Sequence, residues 1–143
     1  MSCKSAIYVS NNAPSTLILT TNNPGTPLPL GTIVRRFGCN LQLSGNGILA
    51  DGAGYYDIDV SVTITPAAAG TFTVSILQDG ALIPGATQSI TATAGSTIAF
   101  NIPALARLQC CDSSGTITFA LTTTADLPET VVVNNVGAVV KKL

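Results

Sequence analysis

The chain has 143 residues, 46% hydrophobic and only 9% charged, with no histidine and a net charge of −1. No run reaches the roughly 18 apolar residues of a membrane span, and no basic stripe with interleaved aromatics suits a nucleic acid. Charge this sparse, against roughly 25% in an ordinary soluble domain, points to a surface covered by identical neighbours or by a larger assembly.

The length fits one domain with a sizeable core, and its segments read as strands parted by turn clusters. Ala6–Ser10 and Thr16–Thr21 come first, separated by Asn11-Asn12-Ala13-Pro14, and Asn22 to Pro27 carries the chemistry of a loop. Ile33–Phe37 and Cys39–Leu43 follow, then Gly45-Asn46-Gly47 as a turn and Ile48–Ala50 as a short strand. From Tyr56 to Thr65 the alternation is strict. Tyr56, Ile58, Val60, Val62 and Ile64 share one face, and Asp57, Asp59, Ser61, Thr63 and Thr65 the other.

Pro66 to Gly70 is a connection, its alanines too few to hold a helix. Thr71–Gln78 alternates again, and Asp79-Gly80 is a strong hairpin signal leading into Ala81–Ile83. Pro84-Gly85 predicts a turn into Thr87–Thr93, and Ala94-Gly95 another into Thr97–Ile102, which Pro103 stops. Arg107–Cys111 and Thr116–Thr122 are expected to pair around Asp112 to Gly115, and Val131–Val140 is apolar on both faces. A strand of that kind is buried on both sides, as beside the axis of an oligomer. About ten short strands without a helical pattern mean an all-β sandwich or barrel.

Four cysteines stand at Cys3, Cys39, Cys110 and Cys111. Without histidine or C-x-x-C spacing, neither a zinc site nor a redox dithiol fits them. Small apolar thiols and disulfides formed in an oxidising space both remain open. The opening residues show no apolar stretch of a secretory signal, so release by another route is expected.

Three features in order resemble one family. Gly54-Tyr55-Tyr56 and its long strand are similar to the Gly-aromatic-Tyr strand of the complement/TNF-like jelly roll. Leu77-Gln78-Asp79-Gly80-Ala81-Leu82-Ile83-Pro84-Gly85 resembles the hairpin of its bacterial members, the head domains of collagen-like spore-surface glycoproteins. Val139-Val140-Lys141-Lys142-Leu143 resembles their closing strand, and Pro29 and Phe37 fit their opening. The resemblance implies a ten-stranded antiparallel jelly roll forming a homotrimer. It implies a domain over residues 28–143 behind an N-terminal attachment segment, residues 1–27. No Gly-X-Y stalk precedes that domain, and the short lead resembles small structural proteins of phages.

Chemistry finds few carriers. Without histidine no Ser/His/Asp or Cys/His nucleophile is possible. Asp57 and Asp59, about 7 Å apart along a strand, have glycosidase-like spacing, but polar residues on a wet strand face need no such explanation. Calcium at Asp51, Asp57 or Asp59 lacks the D-x-D-x-D-G loop. No catalytic residue, cofactor or metal is therefore assigned. Candidate trimer-interface residues are Tyr55, Val131, Val133 and Val139, and candidate surface contacts are Arg35 and Arg36. The expected protein is a non-enzymatic virion component, a head decoration or a tail or fibre accessory, bound to capsid or tail proteins. The alternatives are a cysteine-linked spore-surface or appendage subunit and an adhesin head for host glycans.

Overall fold

A computed structural model describes residues 4–22, 25–109 and 114–143. Its strands are β1 (Ala6–Asn11), β2 (Ser15–Leu19), β3 (Thr26–Pro27), β4 (Thr32–Phe37), β5 (Leu41–Ser44) and β6 (Gly47–Asp51). They continue as β7 (Gly54–Pro66), β8 (Gly70–Gln78), β9 (Ala81–Ala92), β10 (Ile98–Leu108), β11 (Ser114–Thr123) and β12 (Glu129–Lys142). Two antiparallel sheets face each other. Sheet A runs β10-β7-β12-β1-β4 with β2 also on β12; sheet B runs β5-β6-β11-β8-β9 with β3 also on β11.

The strict alternation of β7 does what its period dictates. Tyr56, Ile58, Val60, Val62 and Ile64 are fully buried between the sheets. Ile48, Phe72, Val74, Ile76, Ile117, Phe119 and Leu121 meet them from sheet B. Each such side chain contributes about 1.5–3 kcal/mol by leaving water. The hairpin at Asp79-Gly80 forms as expected, with φ of 52° and 82° at its two residues, the double left-handed turn that matches strand twist.

In β12 the pairing with β7 slips between Val133 and Asn135. Before this bulge Val131 and Val133 point inward; after it Val136, Ala138 and Val140 do. The extra residue shifts the parity of the strand, and the Asn134 side-chain amide is held by Thr65 Oγ1 at 2.9 Å. Val131 and Val133 are therefore core residues and not part of a subunit interface, correcting the expectation for both.

Pro103 does not end a strand. β10 continues through it to Leu108, and among the described residues it pairs with β7 alone. Asn101 turns its N–H away from β7 to the Gln88 side chain at 2.9 Å. Two residues on, Pro103 faces the same side, where a missing N–H breaks no ladder bond. Arg107 and Leu108 pair with Tyr55 and Gly54, so the hairpin expected between residues 107–111 and 116–122 is not formed; β11 pairs with β3, β6 and β8 instead.

Pro84-Gly85 is likewise not a turn between two strands. Leu82 pairs with Leu77 and Thr87 with Ser75, so residues 83–86 bulge from one continuous edge strand. Finally, β1 lies between β12 and β4 with Ile7 and Val9 buried. Most of the presumed lead, residues 1–27, is thus woven into the sandwich, because its alternating apolar residues complete sheet A.

Candidate functional site

The outward face of sheet A holds most of the residues that the sequence marks for contact. Its register places Phe37, Ala6, Lys141, Asp57 and Leu105 in one row across five strands. The next row holds Arg35, Tyr8, Val139, Asp59 and Pro103. Phe37 is 63% exposed, Leu105 53% and Tyr8 39%. The Tyr8 ring spreads over Gly137, where an added Cβ would lie 3.8 Å from it, an aromatic covering a bare glycine on the sheet surface. Ala6, Tyr8, Phe37 and Val139 surround a shallow hollow of about 150 Å³, with Arg35 and Lys141 at its rim.

Two apolar patches thus flank an acidic strip. One is Phe37, Tyr8 and Val139; the other is Leu105 with Pro103. Between them stand Asp57 and Asp59. Lys141 Nζ lies 3.7 Å from Asp57, with both side chains about half exposed, so the pair contributes at most about 1 kcal/mol. The hollow around Asp57 and Asp59, about 410 Å³, is also lined by Ile58, Pro103, Val139 and Lys141. A half-exposed carboxylate paired with an ammonium in an open hollow is ordinary surface chemistry.

β4 carries the basic pair on the sheet edge, and all six of its residues are exposed, Ile33 and Val34 among them. The two arginines part company. Arg35 sits outward beside Tyr8 in register, while Arg36 donates through Nε to the Leu41 carbonyl and ties β4 to β5. Tyr55 is 46% exposed on the outer face, with the Arg107 guanidinium 5.6 Å above its ring. Such a pair at an exposed site is worth about 0.5–1 kcal/mol.

Tyr56 points the other way. Its hydroxyl donates to the Gly52 carbonyl at 2.7 Å, with the Asp51 carbonyl at 3.2 Å. Burial first, and then the negative charge of Asp51, hold its phenol above the ordinary value of 10.0. Cys39 is disulfide-bonded, and its partner lies outside the described residues, as do Cys3, Cys110 and Cys111. The Cys39 and Asn40 N–H groups both donate to Ser5 Oγ at 3.0 Å, which anchors that corner to the first residues of sheet A.

Of the four interface candidates, Tyr55 and Val139 lie on the outer face, and Val131 and Val133 do not. Sequence reasoning missed Tyr8, whose alternation with buried Ile7 and Val9 was a usable signal. It named Phe37 only as an opening residue of the domain.

No family model matches the chain, and no curated protein does. Solved structures do. Murine APRIL at pH 5.0 superposes with a TM-score of 0.69 at 11% identity, over 98% of this chain and 99% of that one. The PRD1 vertex protein P5 gives 0.55 at 14% identity, over 97% and 96%. Eiger TNF from S. frugiperda gives 0.55 at 13%, over 97% and 91%. Identities this low carry the architecture alone: the chain folds as an all-β, TNF-like jelly roll.

Proposed function

We propose that this chain is a non-enzymatic structural protein of a virion, working as a homotrimer bound to capsid or tail proteins. The observation that carries the assembly is the pair of unlike apolar patches on sheet A, Phe37/Tyr8/Val139 and Leu105/Pro103, separated by Asp57 and Asp59. Two different patches on one face favour a rotational contact, in which the first patch of one copy meets the second patch of the next and the ring closes. Arg35 at the rim of the first patch then faces the acidic strip of a neighbour, an arrangement of complementary sign. The scarcity of charge over the whole chain, 9%, supports the same reading. Likeness in fold to the PRD1 vertex protein P5 supports a place on a virus particle.

Sedimentation of the purified chain tests the assembly. A trimer is expected, and Val139→Asp should release folded monomers; a wild-type chain that stays monomeric at high concentration sinks the proposal. Labelled antibodies against the chain, applied to intact particles, test the virion role. The disulfide at Cys39 favours a final location in an oxidising space, which a spore surface would also satisfy. Reductant-sensitive ladders from native material would favour that second reading.

A further inference from the structure

Four separate segments close on one corner of the sandwich. The Lys142 N–H donates to the Ser5 carbonyl at 2.9 Å, joining the end of β12 to the start of β1. The Asp51 N–H donates to the Asn40 carbonyl at 2.7 Å, joining the end of β6 to the connection between β4 and β5. Lys142 stands on the inward side of β12, in register with buried Tyr56. Its stem therefore runs over the end of the core, whereas Lys141 turns to the outer face and meets Asp57.

Two glycines clear the way for that stem. A Cβ built on Gly54 would lie 3.2 Å from Lys142 Cε. One built on Gly52 would lie 3.5 Å from Lys142 Nζ, 2.8 Å from Asn40 Nδ2 and 3.8 Å from Asn40 Cγ. A primary amine and a carboxamide thus share the space over one glycine. The carboxamide is held in place from both ends. Ser5 is 1% exposed, and its Oγ accepts the N–H groups of Cys39 and Asn40, both at 3.0 Å. Its own proton is left to point at Asn40 Oδ1, 3.2 Å away. Asn40 Nδ2 in turn donates to the Asp51 carbonyl, which fixes the amide plane.

We propose that this corner is a modification site, at which Lys142 Nζ and Asn40 Cγ join in an intramolecular isopeptide bond. The neutral amine adds to Cγ, and the Ser5 hydroxyl stabilises the oxyanion that forms on Oδ1. The C–N bond to Nδ2 then breaks. The protons shed by Nζ leave on the departing nitrogen, so a lysine ammonium and a carboxamide give one secondary amide and one ammonium ion. Asp51, whose main chain holds the amide and whose charge the Tyr56 hydroxyl feels, is the carboxylate at hand to carry the proton. No other reactant is needed. Groups held this close react as though at very high concentration, and the ammonium escapes to solvent, so a single slow turnover is enough. The bond would clamp the last strand to the corner that the Cys39 disulfide also secures. It lies within one chain and stands whether or not the chain forms a trimer.

Intact mass of the full chain, folded, incubated for days and then reduced, tests the bond. With the initiator Met accounted for, a deficit of about 17 Da against the sequence is expected, the mass of one ammonia. Proteolysis should release one branched peptide joining the segment around Asn40 to the end that carries Lys142. Lys142→Arg, which keeps charge and stem, should restore the full mass, as should Asn40→Ala. A wild-type mass equal to that of the sequence overturns the proposal, and so does a deficit that survives Lys142→Arg. Should Asn40→Ala fail to fold, Lys142→Arg and the branched peptide decide the matter.

Discussion

The Tyr56 hydroxyl donates to the Gly52 carbonyl at 2.7 Å, tying the start of β7 to the turn behind it. The aromatic pair at the head of this strand is therefore divided in labour. Tyr55 lies on the surface beneath Arg107, and Tyr56 closes one end of the core.

Tyr56→Phe should lower stability at neutral pH by about 1 kcal/mol, the worth of a lost hydrogen bond. The folded-state phenol titrates above the unfolded value of about 10. Its contribution is therefore fully present below pH 10 and lost as pH rises through the folded value. Urea unfolding between pH 7 and pH 11 should show the deficit of the Phe variant shrinking at the alkaline end. A constant deficit would remove the ionisation argument.

Alternation along the first half of β12 separates neighbouring valines. Val133→Asp places an unpaired charge in the core and should cost more than about 4 kcal/mol. Val132→Asp, one residue earlier and on the other face, should change the stability of the monomer by less than about 1 kcal/mol. Circular dichroism of the two proteins side by side checks this, and equal behaviour would contradict the inward facing of Val133.

Gly31 and Gly38 are required by both backbone and space. Their φ values are 74° and 86°, and an added Cβ would lie 2.2 Å from the Ser10 carbonyl oxygen or 2.3 Å from that of Lys4. Either Gly→Ala change should cost at least about 3 kcal/mol, since strain and collision add. Gly85, with φ of 81° but nothing within 4 Å, should lose only about 1–2 kcal/mol. Denaturant midpoints of the three alanine variants rank them.

Asp57→Asn removes a half-exposed ion pair with Lys141 and should shift stability by less than about 1 kcal/mol, with the difference vanishing in high salt. A larger loss, and only in the assembled protein, would place Asp57 in a contact between copies.

How much was legible depends on how local each cause is. The alternation of β7 and the Asp79-Gly80 hairpin follow from side-chain period and turn chemistry within a few residues, so both can be read directly. Val139 and Val133 cannot be told apart that way, because the extra residue at Asn134, between them, decides which of them faces outward. Pro103 reads as a stop until the strand is known to be an edge.

By itself the sequence determined an all-β chain, where most strands lie, the absence of histidine and the scarcity of charge, since composition and short-range periodicity are written residue by residue. The tertiary structure alone decided that β1 is woven between β12 and β4, that Pro103 is tolerated, and that Val139 faces outward while Val133 does not. Those features depend on which distant strands pair and in what register, and a register is fixed only when the two sheets close on a shared core.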